Sequence, residues 1–284
     1  MLLIAGGFGR LGAAFARACS SRGIEHRRCT RAELDIESPA SVASALQTLR
    51  PWGVVNAAGL GDIDTAEREP ARCLRENATG ALHLARACAA RSIPVLVFSS
   101  SQVFDGELTR PYREPDRVQP LNMLGLSKAL AERLLLRLHP RPLIVRTGML
   151  FSAVEPDDFL TAALRALEQG SLVPFIDDMV VSPTYVPDLV DAALDLFIDG
   201  ERGIWHIANG GELSCEEFML RAARLAGLNT QYRAPAGTRR MGIAARRPYY
   251  SAMESDRGAL LPSLDDALSR YIAEVRSTLS SVAA

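Results

Sequence analysis

The chain has 284 residues, 48% hydrophobic and 23% charged, with a formal net charge of −1. That describes a globular protein able to build a sizeable core. Its near neutrality argues against broad attraction to nucleic acid or to a membrane surface. Arginines heavily outnumber lysines but are spread along the chain and form no basic block. Five cysteines, odd in number and without C-x-x-C spacing, fit reduced buried thiols better than a disulfide framework. Four scattered histidines suggest no metal site. The first strand begins at once, leaving no room for a signal peptide, and no apolar run approaches membrane-spanning length; a cytoplasmic protein is expected.

The opening apolar run breaks into a glycine-rich turn and gives way to a helical pattern from residue 13. A strand, a tight turn and a helix N-terminus make an anion site, because backbone N–H groups point outward and the helix dipole favours negative charge there. Two registers overlap, Gly6-x-x-Gly9-x-x-Gly12 and Gly7-x-Gly9-x-x-Gly12. Glycine lets the backbone touch a pyrophosphate and lets the helix pack close to the strand. In this context the motif predicts a bound dinucleotide, against the alternative of a merely structural turn.

The first helix is expected to end near residues 22–23, followed by a strand over 24–29. In a dinucleotide fold its tip faces the adenine ribose, where a carboxylate bonds the 2′-hydroxyl. Here the tip carries Arg27, Arg28, Thr30 and Arg31, with no carboxylate before Glu33. Guanidinium suits phosphate, so NADPH is the expected cofactor and NADH the alternative; a solvated basic loop is the plain explanation.

Ser38 and Pro39 open a helix running to residue 49, and a strand over 53–58 ends in small residues. A helical stretch covers 70–91, and an apolar strand over 94–98 ends in Ser99, Ser100 and Ser101. Such alternation predicts an α/β fold, a doubly wound parallel sheet with right-handed crossovers. Residues 105–122 read as a polar, proline-rich loop at the sheet's carboxyl edge. Residues 124–138 read as an amphipathic helix, apolar at 124, 130, 134 and 138. A strand follows over 143–147. Beyond it the alternation loosens: helix near 156–169, strand near 172–176, helix near 187–198, strand near 203–207, helix near 214–226. Residues 237–256, with Arg239, Arg240, Arg246 and Arg247, read as irregular, and a helix over 263–278 closes the chain.

The sequence resembles the dTDP-4-dehydrorhamnose reductase (RmlD-like) branch of the extended short-chain dehydrogenase/reductases. The resemblance runs nearly end to end. It is carried by the glycine turn, Leu34-Asp35-Ile36, Val55-Asn56-Ala57-Ala58, Ile63-Asp64-Thr65-Ala66-Glu67 and Glu76-Asn77-Ala78-Thr79-Gly80. It continues through Val103-Phe104-Asp105-Gly106, Pro111-Tyr112-Arg113-Glu114, Ser127-Lys128, Val145-Arg146-Thr147, Asp177-Asp178, Ser182-Pro183-Thr184-Tyr185 with Asp188-Leu189, and Arg247-Pro248. It implies a Rossmann-type NAD(P)-binding domain over 1–148, rejoined by segments near 177–207, and a smaller substrate-binding portion mainly over 149–284. The implied cofactor contacts are Gly6, Gly9, Arg10, Leu11, Gly12, Arg31, Asp35, Ile36, Ala57, Ala58, Gly59, Asn77, Ser99 and Lys128. Ser101, Gln102, Met149 and Arg247 are the implied substrate contacts.

The family's chemistry, as the resemblance implies it, is hydride transfer from nicotinamide to a keto sugar. A tyrosine gives the proton, a lysine four residues later holds the ribose, and a serine or threonine steadies the substrate oxygen. Ser100 falls on the serine position and Lys128 on the lysine, but the tyrosine position is Leu124. Other substrate positions depart too: Ser101 and Gln102 replace an aspartate and a tyrosine, Met149 and Phe151 an aromatic pair, and Met179 a glutamine. Tyr112, Tyr185, Tyr249, Tyr250 or a water on Ser100 are candidate replacement donors. Three functions follow: an NADPH-dependent reductase of a nucleotide-activated 4-keto sugar with impaired or rerouted proton donation; a cofactor-binding subunit serving a partner enzyme, as the β subunit of methionine adenosyltransferase does; or a sugar-nucleotide epimerase. A nucleotide sugar or a partner enzyme is the expected partner, and a homodimer is allowed.

Overall fold

The computed structural model describes residues 1–154, 158–237 and 244–282. The chain begins with β1 (Leu2–Ala5), α1 (Arg10–Ser21), β2 (His26–Cys29), α2 (Pro39–Leu49) and β3 (Gly53–Asn56). Next come α3 (Ile63–Arg68), α4 (Pro70–Leu74), a single wide turn over Arg75–Gly80, α5 (Ala81–Ala89) and β4 (Val95–Phe98). The long helix α6 (Met123–Leu138) leads into β5 (Pro142–Arg146). Ser38 caps α2 by accepting from the Ser41 N–H, with Pro39 at the first helical position, and Asn122 caps α6 by accepting from Gly125.

Later elements are β6 (Leu150–Phe151), α7 (Phe159–Glu168), β7 (Val173–Ile176), β8 (Val180–Val181), β9 (Thr184–Tyr185) and α8 (Val186–Ile198). They are followed by β10 (Gly203–His206), β11 (Leu213–Ser214), α9 (Cys215–Ala226), β12 (Arg233–Ala236) and α10 (Leu264–Val282).

Six strands form one parallel sheet in the order β10-β5-β4-β3-β1-β2. This is the α/β, doubly wound parallel arrangement expected from the alternation. Leu2, Ile4, Leu96 and Val145 face α1 and α8 in one core; Leu3, Val54, Val95 and Ile144 face α2, α5 and α6 in another. Burial on both faces explains why β1 and β4 are continuous apolar runs. A third core joins Phe151, Phe175, Tyr185, Phe218 and Tyr271 from the later elements. The chain leaves β1 toward β2 and returns on its other side as β3, so the sheet's switch point lies at β1, where the glycine turn opens.

The helical stretch expected over 70–91 runs without a break from Pro70 to Ala89 and widens over Arg75–Gly80; α3 before it was not anticipated. The buried face of α6 is Leu124, Ser127, Ala131, Glu132 and Leu135, while Leu130, Leu134 and Leu138 are only half-buried. Glu132 turns inward on α6 because Arg146 meets it there. The short strands β6, β8, β9, β11 and β12 carried no periodicity long enough to read. Arg239 and Arg240 lie outside the described residues, as does the start of the expected 156–169 helix. The described part of 237–256 holds no helix or strand, only isolated bridges at Tyr250 and Met253. Among the described residues no helix is long and apolar enough to cross a membrane, and no group of three or more side chains is arranged to hold a metal ion.

Candidate active site

Two clefts meet at the glycine turn, at the carboxyl ends of the strands. The first, about 220 Å³, is lined by Gly6, Gly9, Arg31, Asp35, Ile36, Ala57, Ala58 and Gly59 from the expected set. Leu34, Glu37 and Glu76 complete it. Gly6 holds φ +68, and a Cβ there would lie 2.6 Å from the Ala58 backbone. A Cβ on Gly12 would lie 2.2 Å from the Gly6 carbonyl oxygen, so Gly12 lets α1 approach the turn rather than lining the cleft. The space left by these absent side chains fits a pyrophosphate at the head of α1.

Asn77 also stays out of the cleft wall. It is buried, donates to the Leu60 carbonyl (2.9 Å) and Ser127 Oγ (3.0 Å), and accepts from Leu60 N (2.9 Å). It thereby ties the loop after β3 to α6, and the widened turn supplies its position.

The basic tip of β2 is more neutralised than its sequence suggests. Arg27 pairs with Glu33 at 2.7 Å. Arg28 donates to the Gly7 carbonyl at 2.8 Å and lies 4.0 Å over the Phe8 ring. Arg31 lines the cleft and pairs with Glu37, with Asp35 at 3.7 Å and Glu76 at 3.8 Å. Backbone and side-chain bonds from Thr30, with the Arg27 pair, hold the exposed Glu33 carboxyl down at about 2.

The second cleft, about 580 Å³, brings together Arg10, Leu11, Ser99, Ser100, Ser101, Gln102, Leu124, Lys128, Met149 and Arg247. Met179, which falls on a substrate position of the family, lines it as well, as do Asp64, Thr147 and Ser251, which were not singled out as contacts. The Ser100 hydroxyl accepts from Gln102 N at 3.2 Å, capping the single helical turn Ser101–Val103. Its own proton remains for an oxygen in the cleft. The Thr147 hydroxyl is buried with no hydrogen-bond partner among the described residues, which suits a polar ligand atom. Lys128 is half-buried, and its Nζ donates to the Phe98 carbonyl at 3.0 Å. Burial pushes its ammonium down to about 8, against the opposing influence of Cys73 and Glu132.

Leu124 stands one turn from Lys128 on the same face of α6, both lining the cleft. It also packs against Leu60, Ala66 and Cys73. None of the six tyrosines lines the cleft. Tyr112 is buried and donates to Asp105 at 2.7 Å; Tyr185 belongs to the third core; Tyr249 is exposed; Tyr250 is bonded to Glu212. Among the described residues, the hydroxyls that line it belong to Ser99, Ser100, Ser101, Thr147 and Ser251.

Two ion pairs frame this cleft. Beneath it Arg146 meets Glu132 through two bonds, 2.8 and 2.7 Å, both side chains being buried, and Ser99 donates to the same carboxylate at 2.5 Å. At its rim Arg247 pairs with Asp64 at 2.9 Å, and Ala245 N donates to Asp64 at 3.0 Å. Burial acts to raise the Asp64 carboxyl, but the Arg247 and backbone bonds outweigh it and leave it below its ordinary value. Arg246 is exposed, and its carbonyl accepts from Asn122.

Comparison with known proteins follows the same outline. The RmlD substrate binding domain family matches residues 1–277. A dTDP-4-dehydrorhamnose reductase of Streptomyces griseus is 33% identical over 261 residues, covering 90% of this chain and 86% of that protein. The crystal structure of dTDP-4-dehydrorhamnose reductase from Bacillus anthracis in complex with NADP superposes with a TM-score of 0.91 at 28% identity, covering 96% of this chain and 98% of the other. A UDP-glucose 4-epimerase of Thermus thermophilus, complexed with NAD, shares the fold at 19% identity with a TM-score of 0.82, covering 97% and 98% of the two chains.

Proposed function

The chain belongs to the RmlD substrate binding domain family, and from that premise we propose that it binds NADPH and reduces the ketone of a nucleotide-activated 4-keto sugar, with proton delivery altered by Leu124. The observation that carries the proposal is the meeting of the glycine cradle with a cleft that holds Ser100 and Lys128 together. Likeness to reductases that cover most of the chain supports the same reading.

The residues present fit the coenzyme. Gly6, Gly9 and the head of α1 receive the pyrophosphate, Arg31 the 2′-phosphate, and Lys128 the nicotinamide ribose. When bound, the coenzyme supplies hydride to the ketone carbon. Ser100 donates to the ketone oxygen, stabilising the charge that develops there. Arg247, steadied by Asp64, meets the diphosphate of the sugar nucleotide. Leucine supplies no proton, and a positioned general acid contributes about 10²–10⁴-fold; a slow enzyme follows.

Leu124 also favours a second reading, a cofactor-binding subunit without turnover that serves a partner enzyme. Fluorescence titration with NADPH and NADH, then an assay of NADPH oxidation with dTDP-4-keto sugars, tests both. Micromolar or tighter NADPH binding with slow turnover supports the reductase. Binding with no turnover supports the subunit, and binding of neither coenzyme contradicts both.

A further inference from the structure

Lys128 is the one lysine in the chain, beside 31 arginines. Wherever else the chain needs a cation it uses guanidinium, which is always charged; an ammonium differs in that burial readily lowers its proton affinity. That single amine lies in the second cleft, one helical turn from Leu124 and lining the same wall as Ser100.

The other ionisable side chains of the cleft wall, among the described residues, are Arg10, Asp64 and Arg247. The arginines do not release protons in the working range. Asp64 is already ionised at neutral pH through its pair with Arg247. Serine and threonine hydroxyls pass a proton along but are too weakly acidic to be its source. We propose that the Lys128 ammonium is the proton source for the ketone oxygen in this chain, in place of a phenol on α6. The inference rests on the reductase reading.

The step balances without a further reactant. Hydride from NADPH forms the new C–H bond, and the C=O π pair moves onto oxygen. An Nζ–H bond of Lys128 breaks and the proton reaches that oxygen, directly or through the Ser100 hydroxyl or one water. The neutral amine then takes a proton from solvent; the coenzyme is oxidised and the ketone becomes an alcohol. The Phe98 carbonyl occupies one N–H of the ammonium, which leaves two for ligands. Among the described residues, the charged and titratable groups around Lys128 are Glu132 on its own helix, already engaged by Arg146; Cys73 on α4; and Arg10, Asp64 and Arg247 on the cleft wall. Burial outweighs Glu132 and Cys73 and places the ammonium near 8, where it holds its proton at neutral pH and releases it readily.

A single lysine makes the test clean. Acetylation of Lys128 by acetic anhydride across pH, read by mass spectrometry on the NADPH-loaded protein, reports its titration directly; half-reactivity near pH 8 is expected, against about 10.4 for an ordinary lysine. Keto-sugar turnover then falls as pH rises through the same value. Lys128→Ala loses about 10²-fold or more in kcat, and added alkylammonium ions restore it in proportion to their acidity, which a merely structural lysine does not allow. Lys128→Arg keeps charge and NADPH binding but not the rate. Titration of Lys128 above 10, an unaltered rate in Lys128→Arg, or no amine rescue overturns this inference alone. A chain that binds NADPH but reduces no keto sugar overturns the reductase reading and this inference with it.

Discussion

The two clefts that meet at the glycine turn are built on different principles. The first has a backbone floor, where Gly6 and, behind it, Gly12 are required by close approaches of main chain to main chain, and a charged wall of Arg31, Asp35, Glu37 and Glu76. The second is shaped by side chains, and Leu124, Met149 and Met179 line it where the family resemblance anticipates tyrosine, an aromatic residue and glutamine. A backbone cradle tolerates almost no substitution, whereas a side-chain wall can be replaced one residue at a time without disturbing the sheet behind it. Capture of the pyrophosphate and delivery of the proton are therefore separable in this chain: variants of the glycine turn should change coenzyme affinity and variants of Leu124 the rate, whereas Lys128 serves both.

The largest effect should come from beneath the second cleft. Glu132→Ala strands the buried Arg146 guanidinium, and breaking such a pair costs about 3–5 kcal/mol. Urea denaturation should show the loss, and a smaller loss in Glu132→Gln would identify the charge as its cause. Leu124→Tyr should instead raise kcat, by about tenfold or more toward the 10²–10⁴-fold that a positioned acid provides, while leaving the NADPH Kd nearly unchanged. A native rate that is already brisk and unaltered by the substitution would break the distinction between the clefts.

Behind the first cleft, Gly12→Ala drives a Cβ into the Gly6 carbonyl. Overpacking of this kind costs about 1–3 kcal/mol, so NADPH affinity should fall roughly tenfold to a hundredfold with the fold preserved by circular dichroism. Arg31→Ala sharpens the comparison further. Loss of a charge-assisted bond to phosphate costs about 1.5–3 kcal/mol, lessened here because Arg31 must first leave Glu37. NADPH should weaken about tenfold, and NADH should not weaken at all.

Legibility in the sequence follows the same division. The glycine turn could be read because positive φ and close backbone approach restrict the residue type, and β1 and β4 because both of their faces are buried. Ser100 and Lys128 were singled out through the family resemblance rather than by periodicity or spacing, and both line the second cleft. The inward face of α6 was not, because Glu132 counts as a surface residue until Arg146, on a strand that follows it, is known to meet it. Asp64 was seen only as part of a motif, since its partner Arg247 lies 183 residues away. Nor could the pairing of Arg31 with Glu37 be anticipated, because it depends on how the chain turns after β2.

The most direct measurement is single-turnover reduction of a dTDP-4-keto sugar by the NADPH-loaded native chain, set beside NADPH-loaded Leu124→Tyr. The account predicts equal coenzyme affinity and a variant faster by about tenfold or more. A native chain as fast as the variant, or one that fails to take up NADPH, would contradict it.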